Sequence, residues 1–331
     1  MKLATLRDGS RDGRLVVVSR DLTHAVDAAA VAPTMQFAIE HWNWVEPGLR
    51  ALFDALNAGT APAAFAFDAV QAMAPLPRTH QFVDASAFLN HGDIMEKAFK
   101  LTIKRPEGVP ILVQRQSDDF CGPRDDYPWL GDTENADFEG EYAVIVDDIA
   151  MGSTAAQCAA AIRLVTMLND VSMRAHLGKE LAMGFGFIQA KPATAFAPVA
   201  VTPDELGAGW AEGRVALDMT VHRNGEHFGH PNGREMDWSF GELLAYLAYN
   251  RNLRAGTILG SGTVSNRDAQ RVGSACLAEW RALEVIEHGA ARTPFLGAGE
   301  VLRFEVFGSG SGSGSGSIFG AIEHRFVEAR R

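Results

Sequence analysis

Cysteine is scarce in this chain of 331 residues. Cys121, Cys158 and Cys276 lie far apart, with neither a CxxC pair nor a Cys/His spacing suited to zinc. A reactive thiol needs a cationic setting that the flanking sequence does not supply, so the three read as small core or surface residues. Long apolar runs are missing too. No window approaches the ~18 uncharged apolar residues of a membrane span. The first residues, MKLATLRDGSRDGR, carry no apolar run behind their charges, so no secretory leader is expected and the expected location is the cytoplasm. Positive charge is in deficit: 30 Lys and Arg stand against 41 Asp and Glu, a net charge of −11. That balance argues against general affinity for nucleic acid or an anionic membrane.

What is present is the composition of an ordinary globular protein, 47% hydrophobic and 21% charged, with length enough for one large core or a core plus a smaller domain. LATLR and RLVVVS, separated by DGSRDG, predict a hairpin near the start. A helix is predicted over about 36–58, and an Ala/Pro-rich connection then places a domain boundary near residue 78. Helical spacing recurs in FLNHGDIMEKAF and in SFGELLAYLAYN. Ser153-Thr154 before AAQCAAAIRLVTMLND predicts an N-cap and one long helix ending near Asp170. Asn224-Gly225 between alternating runs predicts a hairpin, and VLRFEVF and SIFGAIEHRF read as paired strands. Between them the repeat GSGSGSGSGS, 308–317, lacks the Lys and helix start of a phosphate loop and reads as a flexible hairpin loop without chemistry.

The stretch FEGEYAVIV, 138–146, raises the chemical question. Its apolar part has the look of a strand buried on both faces. Side chains alternate along a strand, so Glu139, Glu141, Ala143 and Ile145 share one face and two like charges sit side by side. Three explanations are open: a solvated face, pairing with buried Arg or Lys, or a divalent cation. Asp170, in LNDVSMR, is a third candidate ligand because an acid is poorly placed at a helix C-terminus. Oxygen ligands without a Cys or His cluster suit Mg²⁺, Ca²⁺ or Mn²⁺.

At this point the motifs FEGEYAVIV, LVTMLNDVSMR, MGFGFIQAKPATAF, RAGTILGSGTVSN and SIFGAIEHRF carry a joint resemblance to the fumarylacetoacetate hydrolase family, from about residue 80 onward. The segment KLATLRDGSRDGRLVVVS resembles the short N-terminal domain of bacterial members. The resemblance implies an α+β, mostly β fold: a mixed β-sandwich roll with peripheral helices, as residues 79–331, behind a small N-terminal domain, 1–78. It implies a divalent metal, Mg²⁺ first with Ca²⁺ or Mn²⁺ as alternatives, on Asp84, Glu139, Glu141 and Asp170. It also implies a catalytic His91 oriented by Glu279, with Asp93 as a local alternative partner, and Lys191 and Arg174 as cationic support. Thr263 and Gln114 are carried over as substrate contacts.

The family's chemistry is hydrolysis of a carbon–carbon bond beside a carbonyl. The substrate implied here is a small anionic diketone, fumarylacetoacetate giving fumarate and acetoacetate in tyrosine and homogentisate breakdown. A homodimer is expected. Two departures bear on the substrate. VQRQSDDF stands where bacterial relatives have a YQGGSDDF-like segment, so that Val113 replaces a tyrosine and Arg115-Gln116 a glycine pair. Ser86 and the stretch AHLGKEL lack the aromatic and polar contacts of the animal enzymes. An acylpyruvate such as fumarylpyruvate, an oxaloacetate-type decarboxylation, and a catalytically silent metal-stabilised binding protein are the alternatives.

Overall fold

The structure, a computed structural model, describes residues 1–100, 106–308 and 316–329. Most of the expected Gly/Ser loop, 309–315, lies outside the described residues. The predicted first hairpin forms: Lys2–Leu6 pairs antiparallel with Arg14–Val18. Gly13 closes the turn at φ 59°, where a Cβ would lie 2.6 Å from the Leu6 carbonyl oxygen, so only glycine fits.

This hairpin lies within a large sheet whose strands come from residues 2 to 260. Its order is Phe65–Ala66, His24–Asp27, Arg14–Val18, Lys2–Leu6, Ala200–Val201, Ile162–Asn169, Gly140–Val146, Ile258–Gly260, Phe82–Ala85 and Leu112–Arg115, with Ala195–Phe196 added beside Ile162–Asn169. Lys2–Leu6 joins Ala200–Val201 directly, so the sheet is continuous across residue 78. A second sheet of five strands contains the Asn224-Gly225 hairpin, Met219–Arg223 with Glu226–Gly229, and the Val301–Val306 and Ile322–Glu328 pair, as the sequence predicts. Asn224 and Gly225 both take positive φ, the backbone that a two-residue hairpin turn requires.

Gly140–Val146 is the pivot. Tyr142, Val144 and Val146 enter one apolar cluster with Met219, Phe304 and Val306 of the second sheet. Ala143 and Ile145 point the other way, into a cluster with Leu49 and Phe53 of the helix Trp42–Asn57. Glu141 therefore lies on the helix-covered face, as the alternation predicts. Gly140 is tightly packed. A Cβ there would lie 2.6 Å from Met219 Sδ, so this glycine lets the two sheets close.

Two helix expectations change. The helix over 36–58 is two, Met35–Glu40 and Trp42–Asn57, broken where His41 leaves helical backbone at φ −119° and ψ 27°. The long helix after Thr154 is only Ala155–Ala160, opened by a capping box between Thr154 and Gln157, and the chain then becomes the strand Ile162–Asn169. That strand is buried on both faces, so its apolar run carries no period to tell strand from helix. Asp170 thus follows a strand, and the helix-dipole reason for singling it out lapses. The remaining predicted helices form as Leu89–Phe99 and Phe240–Leu247. Among the described residues no helix is long and apolar enough to cross a membrane.

Candidate metal centre and catalytic site

Three neighbouring strands bring the carboxylates together. Asp84 comes from Phe82–Ala85 and Glu141 from Gly140–Val146, and Ile258–Gly260 runs between them. Gly260 stands directly between the two acids. A Cβ there would lie 2.5 Å from Asp84 Oδ1 and 3.0 Å from Glu141 Oε2. The backbone N–H of Gly262 donates to both, at 3.2 and 3.1 Å. Asp170, one residue past the Ile162–Asn169 strand, completes a buried trio whose ligand oxygens all lie within 4.8 Å of one another.

Glu139, expected as the fourth ligand, faces different partners. Its Oε1 lies 2.6 Å from Arg174 Nη2 and 3.0 Å from Lys191 Nζ and accepts from Ser172 Oγ, while Oε2 accepts from Thr263 Oγ1 at 2.7 Å. Lys191 also donates to Asp170 Oδ2 at 2.7 Å, so it ties Glu139 to the trio. Arg174 Nε donates to Asp137 Oδ2 at 2.8 Å. Asp137 in turn accepts from the backbone N–H groups of Leu277 and Ala278, buried donors with no intrahelical partner at the start of the helix Leu277–His288. That helix carries Glu279, whose Oε2 lies 2.8 Å from His91 Nδ1. His91 stands on Leu89–Phe99, which packs against the same helix through Ile94 and Ala282.

Burial and charge sort these acids into two groups. Burial would raise the carboxyl of Glu139, but Lys191 and Arg174, with help from His91, hold it well below the usual range. Asp170 is likewise held down against burial by Arg115 and Lys191. Glu141 goes the other way, pushed well up by burial and by Asp84 and Asp170, and Asp84 rises to about 6 by burial and Asp170. Like charge at close range drives both upward shifts, so the Asp84–Glu141 side is the part of the cluster short of a cation. The thiols are raised by burial, Cys121 to about 12, so none stands as a thiolate.

These residues fit a divalent cation. Asp84, Asp137, Glu139, Glu141 and Asp170 face Arg115, Arg174 and Lys191, which leaves two negative charges unmatched. They fall on the Asp84–Glu141 side, where Glu141 Oε1 is buried without a hydrogen-bond partner. An all-oxygen donor set of this kind suits a hard ion. Asp84, Glu141 and Asp170 are the residues that would hold it.

Of the other sequence-derived site residues, Thr263 gives its hydroxyl proton to Glu139 rather than leaving it for a substrate. Gln114 is not brought to the carboxylates. It is exposed and lines a separate groove of about 620 Å³ with Val83, Leu112, Tyr246 and Tyr249. Alternation along Leu112–Arg115 puts Gln114 and Arg115 on opposite faces, and Arg115 is the one that reaches Asp170. Sequence reading notes Arg115 only as a lost glycine and passes over Asp137, although Asp137 directly precedes FEGE and its bonds to both Arg174 and the Glu279 helix need the fold to be seen.

The comparisons agree with this architecture. Residues 1–78 match the fumarylacetoacetase N-terminal domain 2, and residues 81–327 match the fumarylacetoacetate (FAA) hydrolase C-terminal domain. Among curated relatives, the 2,4-didehydro-3-deoxy-L-rhamnonate hydrolase of Sphingomonas sp. (strain SKA58) is 24% identical over 157 residues, 46% of this chain and 52% of its own length. The chain spans about half the length of the curated relatives it matches. Among solved structures, a Mycobacterium smegmatis protein provisionally named HpcE superposes with TM-score 0.69 at 22% identity, over 100% of both chains. Maleylpyruvate hydrolase from Sphingobium sp. SYK-6, in complex with manganese(II) ion and pyruvate, superposes with TM-score 0.66 at 15% identity, again over 100% of both. At these identities the two structures speak to the fold.

Proposed function

The chain belongs to the fumarylacetoacetate hydrolase family, and we propose that within it the protein is a divalent-metal-dependent hydrolase of a carbon–carbon bond in an anionic β-dicarbonyl acid. The observation that carries this reading is the His91–Glu279 pair beside a buried trio of carboxylates. A cation on Asp84, Glu141 and Asp170 would supply Lewis-acid polarisation of a substrate carbonyl.

The chain's own residues do the rest. Glu279 holds His91 through Nδ1, which leaves the Nε2 lone pair free to take a proton from water. The hydroxide so formed adds to the carbonyl carbon. The carbon–carbon bond then breaks, the departing carbon keeping the electron pair delocalised into its neighbouring carbonyl, and the proton on His91 Nε2 is given to that departing carbon. Lys191, buried between Glu139 and Asp170, brings positive charge next to the developing oxyanion. Arg174 is already taken by Asp137 and Glu139, so its role is to position Glu139 and the helix that carries Glu279.

Relatives named for hydrolysis of maleylpyruvate and of 2,4-didehydro-3-deoxy-L-rhamnonate support the substrate class. Fumarylacetoacetate and an acylpyruvate such as fumarylpyruvate are the two members to test. Decarboxylation of an oxaloacetate-type acid needs no attacking water, so the His91–Glu279 pair favours hydrolysis. Substrate loss is followed by ultraviolet absorbance with Mg²⁺, Mn²⁺ or a chelator. Metal-dependent loss that His91→Ala abolishes supports the reading, decarboxylation that survives His91→Ala replaces it, and no turnover of either diketone class favours a silent binding protein.

A further inference from the structure

Arg115 ends the Leu112–Arg115 strand, opposite Phe82 in register, with its side chain 1% exposed and its guanidinium over the Phe82 ring at 5.8 Å. Nη1 donates to the Lys191 carbonyl at 3.0 Å. Nη2 donates to Asp170 Oδ1 and lies 3.3 Å from Thr194 Oγ1. Asp170 Oδ1 is therefore held by one cation of the chain itself, Arg115, and Oδ2 by another, Lys191. Glu141 Oε1, in the same trio, has no partner. Asp170 is thus occupied on both oxygens and Glu141 is vacant on one.

We propose that Arg115 is a tethered competitor for the metal site: it neutralises Asp170 when no ion is bound, keeps the carboxylates packed, and lowers the affinity for a divalent ion that must share or displace it. The inference rests on the metal reading above. Two physical terms produce the effect. A guanidinium fixed by the backbone competes at high effective concentration for one ligand oxygen. Its charge also repels an incoming dication across a medium less polar than water. A neutral side chain at 115 removes both terms and leaves Asp170 with Lys191 alone, so the variant should gain affinity, which damage to a merely structural residue would not produce.

The test is a Mn²⁺ titration of the full chain, read by water-proton relaxation, together with melting temperatures after chelation and after Mn²⁺ addition. Arg115→Gln is expected to bind Mn²⁺ about tenfold tighter or more, the scale of one nearby like charge removed, and to melt lower than wild type when chelated, with Mn²⁺ restoring the difference. Arg115→Lys, which keeps the charge, is expected to stay near wild type. Wild type should lose less melting temperature on chelation than Arg115→Gln does, because the tighter-binding variant gains more from the ion. Arg115→Met repeats the titration if the glutamine variant does not fold. Equal Mn²⁺ affinity in wild type and the neutral variants overturns the role of Arg115 and leaves the metal site standing, as does a loss of stability on chelation that is as large in wild type as in Arg115→Gln. No Mn²⁺ binding in any of the proteins overturns the metal reading and this inference with it.

Discussion

Asp84 and Glu141 meet across Gly260, which leaves no room for a side chain: a Cβ would lie 2.5 Å from one carboxylate oxygen and 3.0 Å from the other. The glycine sits on the strand that separates the two acids, so any larger residue must push them apart. Gly260→Ala is expected to cost about 1–3 kcal/mol of stability and to weaken Mn²⁺ binding more than it weakens folding. Paired thermal melts and metal titrations check this. An alanine variant with unchanged metal affinity would show that the two acids do not share an ion.

Glu139 and Glu141, two residues apart on one face, should fail in different ways when changed. Glu141 has an unpartnered oxygen and faces other acids, so Glu141→Gln is expected to spare the fold and cost metal affinity. Glu139 answers the buried Arg174 and Lys191. Glu139→Ala leaves both cations short of a partner, which costs about 3–5 kcal/mol for a buried pair broken on one side. Denaturant unfolding and Mn²⁺ titration of both variants separate the two roles. Equal losses in both measurements would mean that Glu139 is a ligand of the same rank.

Lys2 provides a pH-dependent stability far from the site. Its ammonium is buried and donates to the carbonyls of Ser317 and Ile318, at 3.0 and 2.8 Å, fastening the first strand to the last hairpin. Burial lowers it from the ordinary 10.5 to about 8. Between those values the unfolded chain binds more protons than the folded one, so this group's contribution rises with pH from about 8 toward 10.5. Lys2→Met is expected to remove that rise. Comparing wild type and variant across the window isolates it from other groups, and parallel pH profiles would refute it.

The legible part of the site is the part written in local pattern. Period-two alternation places Glu139 and Glu141 on one side of FEGEYAVIV, and Asn224-Gly225 marks its hairpin without help from the fold. Ile162–Asn169 is misread as helix because a strand buried on both faces has no polar period. The division of labour between Glu139 and Glu141 is hidden for another reason: it depends on Arg174 and Lys191, which arrive from later segments. Gln114 is misplaced because it is carried over from the resemblance alone; residues 112–115 are extended, and alternation gives the inward position to Arg115. That Arg115 would find Asp170, 55 residues on, is beyond any local pattern.

The His91–Glu279 pair joins two helices that are 188 residues apart in the chain, and Glu279 is fully buried. A buried carboxylate at Nδ1 fixes the imidazole so that Nε2 presents its lone pair, and it stabilises the imidazolium formed when a proton arrives. Glu279→Gln keeps the volume but removes the charge and allows the amide to donate, which favours the wrong tautomer. The expected result is a fall in kcat of about 10²–10⁴-fold with KM and Mn²⁺ affinity little changed, and His91→Ala should lose no less. A steady-state titration with the acylpyruvate substrate, alongside the Mn²⁺ titration, reads all three quantities. If Glu279→Gln instead lowers metal affinity and leaves kcat intact, the dyad is structural, and the base must be sought elsewhere around the trio.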